Sequence, residues 1–142
     1  MSRADRRSRL ELILERDGPT CVWCGRTVAE GLVAATTEHV IPRVKGGPSW
    51  IENEVAACRR CNARRGHRTL TSWADECESN GWQPDRPRLV AVLEALHERI
   101  EVEGGQRRAR PYLQSQLRRL RYSLDENRSP ISGSDSCRYP DR

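Results

Sequence analysis

Cys21-Val22-Trp23-Cys24 opens, and Cys58-Arg59-Arg60-Cys61-Asn62 closes, the segment that decides how this chain folds. Between them run Glu38-His39-Val40-Ile41-Pro42-Arg43, then Gly46-Gly47, then Asn53. Two Cys-x-x-Cys pairs supply four thiolates, a set that closes tetrahedrally around one Zn²⁺ and leaves no coordination position open. Closure joins the two ends of the segment. Glu38, His39, Asn53 and Asn62 can then converge although they are far apart in sequence. An acid, a histidine and an amide on a zinc-stapled scaffold point to a second, catalytic metal.

The gap between the pairs is longer than in a compact zinc ribbon, so spacing alone does not name a fold. The order of residues inside the gap carries more. Cys21/Cys24, Glu38-His39, Pro42, Gly46-Gly47, Asn53 and Cys58/Cys61-Asn62 resemble, in order, the motifs of the four-cysteine zinc branch of the HNH endonucleases. The resemblance covers roughly residues 8 to 75. It implies an α+β fold, a small zinc-stapled ββα-metal core of the HNH or His-Me finger kind with flanking helices.

The resemblance also implies roles. His39 matches the general base, Glu38 the metal-binding acid, and Asn62 the second metal ligand. Asn53 matches the middle residue, which braces the loop and the base without binding metal. Phosphodiester cleavage needs an activated water and a counter-charge for the leaving oxygen. Histidine suits the first because it accepts a proton near neutral pH. A divalent ion suits the second, and Mg²⁺ or Mn²⁺ needs few protein oxygens. Neighbouring residues of a regular strand point to opposite faces, so Glu38 and His39 need a bent or bulged backbone to serve one phosphate. The chain departs from the family at two places: Glu38 stands where Asp is usual, and Arg65 where a lysine is common.

Composition sets the bounds. At 142 residues with 36% hydrophobic content and no Phe, the chain holds one small core plus extensions. A zinc staple supplies what such a core lacks. No run is apolar and long enough to span a membrane, and no signal-peptide core is visible, so a reducing cytoplasm is expected. Cys77 and Cys137 fit neither pair and read as incidental. The net charge is +5, with Lys45 the one lysine. Arg59, Arg60, Arg64, Arg65 and Arg68 cluster around Asn62, and beside a phosphate-cleaving centre they read as a surface for the DNA backbone, duplex above all.

Patterning places the elements. Leu10, Ile13 and Leu14 make residues 3–16 an amphipathic helix stopped by Asp17-Gly18-Pro19. Residues 32–41 read as a strand, Glu54 to Ala57 as the run into the second knuckle, and Arg59 to Arg65 as a short helix halted by Gly66. Thr71 or Ser72 caps a helix through Asn80. Apolar stripes at Leu89, Val92, Leu93, Leu96, Ile100 and at Leu113, Leu117, Leu120, Leu124 predict a helical hairpin. The division is therefore a nuclease domain over 1–82, a helical hairpin over 83–124, and a tail over 125–142 that has little to bury and is expected to be disordered. His67 reads as a loop residue past the metal helix, and His97 as surface decoration. The alternatives are a non-catalytic zinc module that binds nucleic acid, favoured by Glu38 in place of Asp, and a protein-interaction adaptor built on the hairpin.

Overall fold

The computed structural model describes residues 5–28 and 33–128, without the side chains of 126–128. Cys137 and the tail beyond 128 lie outside the described residues. The first helix, α1 (Arg6–Asp17), begins where the Asp5 carboxylate accepts the Ser8 N–H at 2.8 Å. It ends at Gly18, whose φ of 88° an L side chain would resist.

The chain then makes the first knuckle and enters β1 (Ala35–His39), which pairs antiparallel with β2 (Glu54–Cys58). The register runs unbroken from Ala35 opposite Cys58 to His39 opposite Glu54. The expected bulge is absent: β1 simply stops at His39. Val40 N–H bonds to Asn53 O, and the Asn53 side chain captures the Ile41 N–H and C=O, so the ladder gives way to side-chain bonds. A 3₁₀ turn (Arg43–Lys45) and another (Ile51–Asn53) carry the chain back into β2.

All five residues of β2 are buried, because a helix covers each face of the ribbon. On one face lies α1, with Arg6 bonded to Thr37 Oγ1 and Arg9 to Glu54. On the other lies α2 (Arg59–Arg65), with Asn62 bonded to Thr36 Oγ1 and Arg65 to Glu38. Alternation along β1 assigns these partners: odd residues look to α1 and even ones to α2.

Next come α3 (Leu70–Ser79), α4 (Arg86–Glu103) and α5 (Ala109–Arg128). The α3 cap is Thr69, whose hydroxyl accepts the Ser72 N–H, so the helix starts earlier than the Thr71 or Ser72 cap expected. Helix α5 runs through 128, past the Leu124 at which the apolar stripe ends, so residues 125–128 are helical where a disordered tail was expected. One apolar cluster joins the knuckles to α3, α4 and α5 through Trp23, Trp73, Leu93 and Leu120. Trp73 meets Trp23 edge-on at 6.4 Å and Trp82 at 6.3 Å, a favoured aromatic geometry. Among the described residues no helix is long and apolar enough to cross a membrane.

Candidate metal-dependent nuclease site

Cys21, Cys24, Cys58 and Cys61 bring their sulfurs within 4.8 Å of one another. Zn–S bonds of about 2.3 Å in a tetrahedron put sulfurs about 3.8 Å apart. Cys24 Sγ and Cys58 Sγ lie at 3.9 Å, so the donor set is compatible with zinc in both chemistry and size. Cys77 is buried in α3 outside this group, and burial pushes its thiol up to about 12. Arg60 sits against the cluster, with Nη2 3.8 Å from Cys61 Sγ and the guanidinium 4.3 Å over Trp82. Its charge faces sulfurs that turn anionic when metal binds.

Beyond the end of β1 lies a cleft of about 360 Å³. Glu38, His39, Asn62 and His67 line it, along with Arg6, Arg9, Arg43, Ser49 and Arg65. His39 and Asn62 therefore meet at one opening although they belong to opposite faces of the ribbon.

The His39 imidazole uses Nε2: Ser49 Oγ lies at 3.0 Å and Glu54 Oε2 at 3.5 Å. Residues directly opposite in an antiparallel ladder share a face, which is why Glu54 meets His39. A carboxylate beside Nε2 assigns the proton to that nitrogen and leaves the lone pair on Nδ1. Burial holds the imidazole below its ordinary pKa, as do Arg43, Arg9 and Arg6, while Glu54 acts against them. The lowered pKa favours the neutral ring at pH 7, and no described residue bonds its Nδ1.

Glu38 is 5% exposed. Its Oε2 accepts from Trp23 Nε1 at 3.2 Å and Arg65 Nη1 at 3.0 Å, and no protein donor reaches Oε1 among the described residues. Burial raises its pKa, and Arg65 and Trp23 counter the rise. Asn62 spends both amide hydrogens, on Thr36 Oγ1 at 2.9 Å and Thr37 O at 3.2 Å, and no donor among the described residues reaches its carbonyl oxygen. One carboxylate oxygen and one amide oxygen are thus uncommitted in the lining of a single cleft. That donor set fits a hard divalent cation that keeps most of its waters.

Asn53 is fully buried, and its bonds all go to backbone: Ile41 N–H at 2.9 Å, Ile41 O at 3.1 Å and Pro48 O at 3.0 Å. It ties the 41–48 loop shut without lining the cleft. Gly47 is what lets the loop close, since a Cβ there would lie 1.8 Å from Ile41 O and 2.8 Å from Asn53 Nδ2.

The arginine cluster of α2 divides. Arg65, expected in the DNA-facing set, is 1% exposed. It donates to Glu38, to the His39 and Val40 carbonyls, to Arg68 O and to the Tyr112 hydroxyl. Arg68 pairs with Glu76 at 3.0 Å and lies over Trp73. With Arg60 at the sulfurs, only Arg59 and Arg64 of the five present an exposed guanidinium free of side-chain partners. Patterning missed Glu54, Ser49, Trp23, Arg6, Arg9 and Arg43. The one local signal was the ladder itself, since a strand ending at His39 and another starting at Glu54 place those two side by side.

Residues 21–76 match the family model described as HNH endonuclease. Over 84 residues, 58% of this chain, the sequence is 29% identical to the CRISPR-associated endonuclease Cas9 of Corynebacterium diphtheriae. The chain spans about 7% of that relative's length. No solved structure matches the chain.

Proposed function

We propose that this chain, whose residues 21–76 match the HNH endonucleases, hydrolyses DNA phosphodiester bonds with a divalent ion, Mg²⁺ or Mn²⁺, around a structural zinc. The observation that carries the reading is the convergence of Glu38, His39 and Asn62 on one cleft. His39 Nδ1 takes the proton of the attacking water, while Glu54 and Ser49 hold Nε2 and stabilise the imidazolium that forms. Glu38 Oε1 and the Asn62 carbonyl would hold the divalent ion, which supplies counter-charge for the phosphoryl and leaving oxygens. Asn53 keeps the loop, and with it His39 and Ser49, in place. Four thiolates hold the zinc, and the free cysteines favour a reducing compartment such as the cytoplasm.

One observation favours a second reading, a zinc module that binds nucleic acid without cutting it. Arg65 already neutralises Glu38, which lessens the pull of that carboxylate on a cation. Plasmid nicking separates the two. Turnover is expected with Mg²⁺ or Mn²⁺ and not with EDTA, and His39→Ala should lower it by about 10²–10⁴-fold with zinc content and melting temperature unchanged. A wild-type protein that binds plasmid and never nicks it, with any divalent ion, establishes the second reading instead.

A further inference from the structure

We infer that duplex DNA reaches the cleft from the α1 side, with Arg6 and Arg43 as its two phosphate anchors. This rests on the nuclease reading above and concerns which surface carries the substrate. The cleft lining holds four arginines, Arg6, Arg9, Arg43 and Arg65, against one acid, Glu38. Two of the four are occupied: Arg65 by Glu38, and Arg9 by Glu54 at 2.7 Å.

Arg6 and Arg43 differ from these. Arg6 is exposed and, among the described residues, its side chain bonds only through Nε, to Thr37 Oγ1 at 3.1 Å. That bond orients the guanidinium at the rim and leaves its terminal nitrogens for a ligand. Arg43 is exposed at the start of the 3₁₀ turn after Pro42, and no described residue pairs with it. The two come from separate elements, α1 and the loop between the strands, and both line the cleft that holds His39. Guanidinium groups at the rim of that cleft suit phosphate oxygens, which they can bind bidentately.

Arg59 and Arg64 are also exposed, but neither lines the cleft, so a backbone gripped by them need not approach His39. The lining contains no Phe, Tyr or Trp. Non-specific single-strand binders stack bases on large aromatic rings, and among the described residues this lining offers only the imidazoles of His39 and His67. A cationic rim so poor in stacking platforms suits the charged backbone of a duplex.

The test is fluorescence anisotropy of a short labelled duplex across salt concentrations, in the His39→Ala background so that nothing is cut. Each phosphate contact contributes about 0.9 to the log–log salt slope on duplex DNA. Arg6→Ala/Arg43→Ala should flatten that slope by about 2 units and lower affinity at least about tenfold. Zinc content and melting temperature should match the parent. Arg59→Ala/Arg64→Ala should change the slope by well under 1 unit. The opposite ranking, or equal losses from both pairs, overturns the inference, as does a single strand bound as tightly as the duplex. A wild-type protein that cuts DNA while Arg6→Ala/Arg43→Ala keeps the parent slope overturns this inference alone. A parent that binds no DNA overturns the nuclease reading with it.

Discussion

On the α2 face of the ribbon, Glu38 and Asn62 sit among Trp23, Arg65 and Thr36, and the charge there is matched by a buried partner. On the α1 face, His39 and Glu54 answer to Arg6, Arg9 and Arg16, whose side chains remain partly in water. One ribbon thus carries a drier face, whose cation Arg65 is buried with Glu38, and a wetter face, whose cations stay partly in water although Glu54 itself is fully buried. In the proposed reaction, metal ligands would need fixed geometry, and a proton acceptor would need access to solvent and substrate. Strand alternation sets Glu38 and His39 on opposite sides, and both line one cleft with Asn62.

The difference should appear most strongly where the dry face is stapled. Cys58→Ser removes a sulfur at the start of α2, and metal binding contributes on the order of ~10 kcal/mol to folding in small zinc domains. Loss of zinc by elemental analysis, together with loss of the cooperative melt, is expected. A folded protein that retains one zinc would detach the α2 face from the thiolate cluster.

Arg65→Met comes next. It leaves Glu38 as a buried carboxylate without its cation, which costs about 3–5 kcal/mol in urea denaturation. Adding Glu38→Gln to that variant removes the orphaned charge and should recover part of the loss. A single variant as stable as wild type would mean that the Glu38 carboxylate does not depend on its buried partner.

Glu54→Gln probes the wetter face and should cost less, about 1.5–3 kcal/mol, because the isosteric amide stays a neutral acceptor for Arg9, whose own side chain is partly in water although Glu54 is fully buried. Its larger effect should be on turnover. The amide no longer assigns the Nε2 proton, so kcat should fall with KM little changed. A stability loss as large as that of Arg65→Met would erase the distinction between the faces.

Much of this was legible in the sequence, for a physical reason. The clustering cysteine pairs, the turn glycines and the strand-loop-helix order are local patterns, set by spacing and by backbone conformation within a few residues. Arg65 was not legible. In sequence it is one of five arginines around a short helix, and what removes it from the surface are Glu38, 27 positions away, and Tyr112, 47 away. Nor was Trp23, which looks like a spacer between two ligands and is instead a donor to Glu38. The bent or bulged backbone expected at Glu38 and His39 followed from the opposite facing of neighbouring strand residues, whereas the ladder stays regular and both residues still line one cleft. The strand ends there because Asn53, twelve positions from Ile41, takes over its hydrogen bonding.

The α4–α5 hairpin changes how portable this site is. The Tyr112 hydroxyl accepts from Arg65 at 3.2 Å and from the Leu70 N–H at 3.0 Å. Arg108 donates to Val44 O, and its Cβ packs where Gly46 has none. Arg99 lies 3.8 Å over Trp50 and pairs with Glu52 at 2.8 Å. The hairpin therefore grips the loop between the strands at two places and the support of Glu38 at a third. The family match stops at residue 76, before any of these contacts is supplied. A graft cut at that boundary would carry every motif residue into a new host and leave behind the props that give the cleft its shape. In this chain the unit of inheritance for the motif and the unit of transplantation for the site are different lengths of polypeptide.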